Sequence, residues 1–258
     1  MTKFSANLSM LFLEVPFLER FGAAKKAGFH GVEYVSPYEF GAEEIAKLLS
    51  EHQLEQVLFN LPAGDWGKGE RGIACHPDRV EEFRAGVDKA ITYAKALQCP
   101  QVNCLAGIVP TDVSAADARA TLVSNLRFAA ERLQAAGILL LLEPINHYDI
   151  PGFCVTKSAQ GISIMDEVGS ANLKLQYDIY HMQRMEGELA NTAQKLLPRI
   201  AHIQLADNPG RNEPGTGEIN YPFLFAHLAR IGYAGWIGCE YKPKGGTNAG
   251  LGWMKGLS

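Results

Sequence analysis

Cysteine-pairing signals are missing from this sequence of 258 residues. Its five cysteines, Cys75, Cys99, Cys104, Cys154 and Cys239, are an odd number at irregular separations with no Cys-x-x-Cys pair. That usage argues against a disulfide framework, a structural zinc site or a dithiol redox motif, and it fits a reducing cytoplasm. Cys104 and Cys239 fall within apolar runs, where a free thiol behaves as a small buried hydrophobe. No neighbouring pattern would lower a cysteine pKa, so cysteine catalysis is not expected. Long hydrophobic runs are also absent: the longest, residues 138–142, stops at Glu143, several-fold short of the roughly 20 residues that cross a bilayer. It reads as a buried strand, and no membrane partner is expected. Residues 1–7 lack the charged region and long apolar stretch of a secretory signal, so the expected location is the cytoplasm.

Nor is there a basic excess. Lys and Arg number 24 against 28 Asp and Glu, a formal net charge of −4, so the positive field that drives non-specific nucleic-acid binding is missing. Lys25-Lys26 and the Lys242, Lys244 pair are too short to track a phosphate backbone and read as solvated surface charge. Nucleic acid is therefore not an expected partner. No Pro/Ser-rich linker, low-complexity tract or abrupt shift in composition divides the chain, which predicts one domain over residues 1–258.

What the chain does have is apolar material, 47% of residues against 20% charged, enough to bury a substantial core. Short β-branched or apolar runs alternate with helical patterns up to the C-terminus. The runs are residues 4–10, 31–35, 56–60, 101–106, 138–143, 173–178, 202–206 and 236–240. Helical candidates lie between them: 14–27 with Pro16 near its first turn and Gly28 beyond, 79–97 preceded by Asp78, and 115–136 closed by Gly137. Eight strands that each run into a helix predict an α/β fold, a single closed parallel (β/α)8 barrel rather than a doubly wound sheet. Two loops, 61–77 and 207–220, are long and glycine-rich, which is more typical of lids and binding loops than of idle connectors.

A barrel of this kind builds its active site from the C-terminal ends of its strands. The last four runs answer together: Glu143, Asp178, Gln204 and Glu240 stand at or near their ends, separated by 35, 26 and 36 residues. Each separation is comparable to one βα unit, so the three carboxylates and the amide would point into one mouth. Uncompensated, such carboxylates repel and take up protons, and a divalent cation resolves the conflict. Oxygen donors without cysteine or a histidine cluster favour Mg²⁺ or Mn²⁺ over Zn²⁺ or copper. The competing reading, in which each acid caps a helix or pairs with a surface lysine, is weakened because caps would fall one to three residues later. His181, three residues beyond Asp178, could bind a substrate oxygen or be a buried histidine satisfied by backbone. Arg211, Glu213 and Lys242 could bind a ligand carboxylate or hydroxyl, or be surface charge. Gly215-x-Gly217 is weak evidence for phosphate binding, since neither nucleotide fingerprint is complete.

Several unbroken blocks carry a resemblance: Asn7-Leu8-Ser9-Met10-Leu11-Phe12, Asn60-Leu61-Pro62-Ala63-Gly64-Asp65-Trp66, Leu142-Glu143-Pro144-Ile145-Asn146, Gln176 through Arg184, Gly217-Glu218-Ile219-Asn220-Tyr221 and Gly238-Cys239-Glu240-Tyr241-Lys242-Pro243. Over residues 4–253 the chain resembles the hydroxypyruvate isomerase family within the xylose-isomerase-like barrel superfamily. The resemblance implies interconversion of hydroxypyruvate and tartronate semialdehyde through an enediolate. It also implies Glu143, Asp178, Gln204 and Glu240 as metal positions, with Glu143 and Glu240 as the acid/base pair. Many sugar-epimerase relatives carry histidine where this chain has Gln204, whose amide oxygen is a neutral hard donor suited to Mg²⁺ or Mn²⁺. The 61–77 loop, with Trp66, Lys68 and Arg71, is the candidate lid, since enediolates need protection from water.

The expected partner is thus a small hydroxy-oxo acid, and a homo-oligomer is compatible with the sequence. Three other readings compete: an isomerase or epimerase of a related short acid such as 2-oxo-tetronate, a non-catalytic sugar-binding barrel, and a metal-dependent DNA-repair endonuclease. The last needs histidine-rich multi-metal clusters and a basic face, and neither is evident.

Overall fold

Side chains on a strand alternate between two faces, so a strand that ends on a polar residue of the inward face delivers it to the barrel mouth. The computed structural model, which describes residues 2–255, shows that arrangement repeated around a closed ring. The strands are β1 (Lys3–Asn7), β2 (Gly31–Glu33), β3 (Glu55–Asn60), β4 (Gln101–Cys104), β5 (Leu139–Leu142), β6 (Leu173–Asp178), β7 (Ile200–Leu205) and β8 (Trp236–Cys239). All neighbours pair in parallel in sequence order, and β1 closes on β8 through Phe4 opposite Ile237. The expected (β/α)8 barrel is therefore the observed fold.

The longer helices of the outer layer are α1 (Arg20–Lys26), α2 (Ala42–His52), α3 (Val80–Ala96), α4 (Ala115–Ala135), α5 (Ser158–Val168), α6 (Ile179–Met185), α7 (Leu189–Leu196) and α8 (Tyr221–Arg230). Ser114 caps α4 by accepting the Asp117 backbone N–H at 3.1 Å. Between helices and strands lies a continuous apolar core that includes Leu122, Leu126, Leu140, Leu142 and Leu175, all fully buried. Among the described residues, no helix is long and apolar enough to cross a membrane.

Several runs are shorter in the structure than their composition suggests, and local bonding explains where they stop. The first ends at Asn7 rather than Met10, because the Asn7 carbonyl accepts from Met10 and Leu11, and its side chain accepts from Ser9. The second ends at Glu33, where a register shift against β3 breaks the ladder. The first helical stretch splits into a 3-10 turn, Phe17–Glu19, and α1, while 79–97 becomes a 3-10 turn, Pro77–Arg79, followed by α3.

Near the strand beginnings, Val57, Leu58 and Leu141 pack with Leu139 and Trp236. Gly31 makes room for the Trp236 indole, which a methyl there would overlap. Two residues further along β8, Gly238 faces the buried Glu33 carboxylate with the same lack of space. Gly238→Ala is accordingly expected to cost about 1–3 kcal/mol through overpacking, measured by denaturant unfolding. A neutral effect would show that Glu33 is free to move.

Candidate active site

Period-two alternation places Gln176 and Asp178, His202 and Gln204, and Gly238 and Glu240 on the inward faces of their strands. Leu141 and Glu143 follow the same rule at the end of β5. Glu143, Asp178 and Gln204 are buried, and the Glu240 side chain is 13% exposed. Glu143 accepts a hydrogen bond on Oε2 from Asn103 Nδ2 at 3.0 Å. Glu240 accepts on Oε2 from Asn7 Nδ2 (2.8 Å) and Gln204 Nε2 (2.7 Å), and on Oε1 from Arg211 Nη2 (2.7 Å). Asp178 is itself the cap of α6: its Oδ1 accepts the backbone N–H groups of Tyr180 (2.7 Å) and His181 (3.2 Å). This corrects the expectation that a cap would lie further along. The strand runs directly into the helix, so one carboxylate serves both ends. Its Oδ2 is buried and has no hydrogen-bond partner.

His181 is held by Asn146. The Asn146 side-chain oxygen accepts the Asp149 backbone N–H at 2.8 Å, so its amide nitrogen faces His181 Nδ1 at 2.6 Å. The ring nitrogen that receives this bond carries no proton, which assigns the proton to Nε2. Nε2 lies 3.9 Å from Glu143 Oε1 and 3.8 Å from Asp178 Oδ2.

Several functional neighbours escaped the sequence reading. Glu33 is a fourth carboxylate, buried beneath Glu240, where it accepts from Ser5 Oγ (2.7 Å) and Gln204 Nε2 (2.8 Å) and pairs with His202 Nε2 (2.9 Å). Asn7, Asn103 and Asn146 orient Glu240, Glu143 and His181. Glu33, Asn7 and Asn103 sit inside apolar runs whose composition continues beyond them. A search for the first polar residue on the inward face of each strand would have found Glu33.

A cavity of about 1200 Å³ opens above these groups and is lined by His181, Arg211, Lys242, Trp66 and Arg71 as well as by Glu143, Gln204 and Glu240. Lys68 and Glu213 are not part of that lining. Lys68 is an exposed tip residue, 3.2 Å from Asp65 Oδ2. Glu213 accepts the Lys244 backbone N–H at 2.9 Å and so ties two loops together. The glycine pair has a similar internal use: Gly215 and Gly217 both donate their backbone N–H to Asp207 Oδ2 at 2.9 Å, so the nest that suggested phosphate already holds a carboxylate. Cys104 and Cys239 are buried as expected, whereas Cys154 departs from expectation. The Cys75 thiol, a neighbour brought close only by folding, holds the Cys154 pKa below the usual cysteine value.

The model of the xylose isomerase-like TIM barrel family matches residues 21–257. The chain is 57% identical over 254 residues to hydroxypyruvate isomerase of Escherichia coli (strain K12), covering 98% of both chains. It is 46% identical to 2-oxo-tetronate isomerase of Cupriavidus necator, over 99% of this chain and 98% of that one. Among solved structures, that of an AP endonuclease, family 2, from Brucella melitensis superposes with a TM-score of 0.96 at 44% identity, covering 98% of each chain.

Ligand atoms of Glu143, Asp178 and His181 lie within 4.8 Å of one another and could hold a metal ion. Burial pushes Glu143 well above the ordinary carboxylate range, and the charges of Glu240 and Asp178 add to the shift. Burial likewise raises Asp178 to about 6 and Glu240 to about 8, against the opposing pull of Arg211. For Glu33, burial is outweighed by His202, Gln204 and Ser5, and its carboxyl stays below the usual range. Burial, reinforced by Arg211 and Arg184, holds His181 well below its usual value and therefore neutral. The donor set fits a cation: oxygens that otherwise collect protons surround the orphaned Asp178 Oδ2. A carboxyl with a raised pKa keeps a proton that the unfolded chain has released, so folding stability falls as pH climbs. Chelator-treated protein should accordingly lose thermal stability from about pH 4 through about pH 8, the span set by ordinary carboxylates and Glu240. Excess divalent cation should raise Tm more at about pH 8 than at about pH 5. Melts showing the larger rise at the lower pH would contradict this electrostatic account.

Proposed function

The chain belongs to the xylose isomerase-like TIM barrel family, and from that membership and the geometry of its site we propose that it is an isomerase interconverting hydroxypyruvate and tartronate semialdehyde. Identity of 57% to the Escherichia coli hydroxypyruvate isomerase over 98% of both chains supports the reaction. The observation that carries the mechanism is the placing of Glu143 and Glu240 on one cavity from β5 and β8, each anchored through one oxygen by a side-chain amide.

The reaction moves a carbonyl between adjacent carbons. One proton leaves C3 and one arrives at C2, while an oxygen-bound proton passes between the two oxygens. Glu143 and Glu240 are the two bases available for the carbon-bound proton, one removing and the other delivering. Asn103 fixes Glu143 through Oε2, while Oε1 faces His181 Nε2 at 3.9 Å, beyond hydrogen-bond distance. Glu240 is braced by Asn7, Gln204 and Arg211. His181, neutral and carrying its proton on Nε2, donates to an enediolate oxygen instead of competing for the transferred proton. Arg211 stands 3.5 Å from that nitrogen and adds a fixed positive charge.

A divalent cation, Mg²⁺ or Mn²⁺ by the hardness of the oxygens, would be held by Glu143 and Asp178 with Gln204 and Glu240 as further donors, and would supply Lewis-acid polarisation to the substrate. The Asn146-fixed tautomer makes His181 a hydrogen-bond donor rather than a ligand. The Gln204 side-chain oxygen accepts from Gln176 Nε2 at 2.6 Å while its Nε2 donates to Glu33 and Glu240, so its amide would turn over to offer that oxygen to a cation. The exposed tip of the 61–77 loop, with Trp66, is the part that would close over substrate.

Hydroxypyruvate incubated in D₂O with Mg²⁺-supplemented protein is expected to yield tartronate semialdehyde with exchanged carbon-bound hydrogen, followed by proton NMR. A parallel panel of 2-oxo-tetronate and abasic-site DNA distinguishes the chemistries named for the other relatives; preferential turnover of either would replace this reading. Glu143→Gln and Glu240→Gln are each expected to lower kcat by about 10²–10⁴-fold with the fold intact by circular dichroism. Near-normal turnover in either variant would remove that glutamate from the mechanism.

A further inference from the structure

Charge divides the barrel mouth into two halves. Glu143, Asp178, Gln204 and Glu240 come from β5 to β8, and strand order places the loop after β3 on the other side of the ring. On the acidic half Arg211 is the guanidinium in direct contact, 2.7 Å from Glu240. Three further cations line the cavity and, among the described residues, have no acidic partner within 4.0 Å: Arg71, Lys89 and Lys242. Lys242 and Lys89 are exposed, and the Lys89 ammonium sits 4.9 Å over the Tyr38 ring. Arg71 alone is half-buried.

The loop is constructed to present Arg71. Its guanidinium stacks 3.9 Å over the Trp66 ring, and Nη1 donates to the carbonyls of Glu70 (2.7 Å) and Trp66 (3.2 Å). Nε and Nη2, the edge that grips a carboxylate through two parallel bonds, have no acceptor among the described residues. Both chain neighbours of Arg71 are clamped. The Glu70 carboxylate accepts the Asp65 backbone N–H and pairs with Arg79. Gly72 donates its N–H to the Ala63 carbonyl at 2.9 Å and, at φ +107°, lies so close to Leu105 that a methyl would overlap the Leu105 carbonyl.

We propose that Arg71 receives the substrate carboxylate and thereby selects a short 2-oxo acid over a neutral sugar. The inference rests on the isomerase reading: with the C2 and C3 oxygens engaged on the β5–β8 half, the group that projects away is the C1 carboxylate. Directed at the acids it would be repelled; directed across the mouth it meets a pre-oriented, unpaired guanidinium.

Titration calorimetry on Mg²⁺-supplemented protein with oxamate, an unreactive 2-oxo anion, and with oxamide, its uncharged diamide, isolates the carboxylate. Arg71→Gln is expected to weaken oxamate by about 10–100-fold and to leave oxamide within about twofold. Arg71→Lys should fall between, since it keeps the charge without the fork. In turnover, Arg71→Gln should raise KM for hydroxypyruvate while kcat stays within about threefold. Equal weakening of both ligands would mean that Arg71 only supports the loop, and unchanged oxamate binding would place the carboxylate elsewhere; either overturns the proposal. Absence of hydroxypyruvate turnover by the unaltered protein would instead overturn the isomerase reading, and the oxamate comparison would still judge Arg71.

Discussion

Mutual repulsion among Glu33, Glu143, Asp178 and Glu240 in one barrel mouth is the constraint on which the rest of the site depends. Each carboxylate is stabilised first by donors the fold provides: Asn103 for Glu143, the α6 N-terminus for Asp178, Asn7 and Gln204 for Glu240, and His202 with Ser5 for Glu33. Only for Glu33 do the partners, the charge of His202 foremost, outweigh burial and keep the carboxyl below the usual range. The other three hold protons more tightly than free carboxylates do, and the single guanidinium of Arg211 does not offset them. Carboxylates held together under that unrelieved repulsion are a donor set that could hold a metal ion.

The barrel makes this concentration of charge possible by alternating support and function along single strands. On β8 the inward positions run from Trp236, which fills the end where the strands begin, through Gly238, which leaves room for Glu33, to Glu240 at the opening. On β6 they run through Gln176 to Asp178, and on β7 through His202 to Gln204. Apolar packing below therefore holds the polar groups above at separations that free side chains would relax to avoid.

Acids in the loops have a different task from acids in the mouth. Asp207 collects the backbone N–H groups of Asn208, Gly215, Gly217 and Ile219, Glu213 takes that of Lys244, and Glu70 takes that of Asp65. These carboxylates are consumed in stiffening the loops around the opening. The contrast with Asp178 is instructive: one of its oxygens does the same capping work, while the other points into the site with no partner.

Much of this was legible in the sequence because it follows from periodicity. Eight apolar runs separated by helical patterns specify a parallel barrel, and acids at the ends of the fifth, sixth and eighth runs must reach its mouth, since both results depend only on local alternation and chain order. Glu33, Asn7 and Asn103 were hidden because the ends of their strands are set by a register shift and by turn hydrogen bonds rather than by composition. The roles of Glu213, Lys68 and the Gly215-x-Gly217 pair were likewise decided by partners distant in the chain or unreadable from residue type. Sequence alone determined the barrel and the strands that carry the acids. Tertiary structure alone decided which polar groups have an unused atom facing the cavity, because a hydrogen bond is satisfied or left open only when both partners are placed in space.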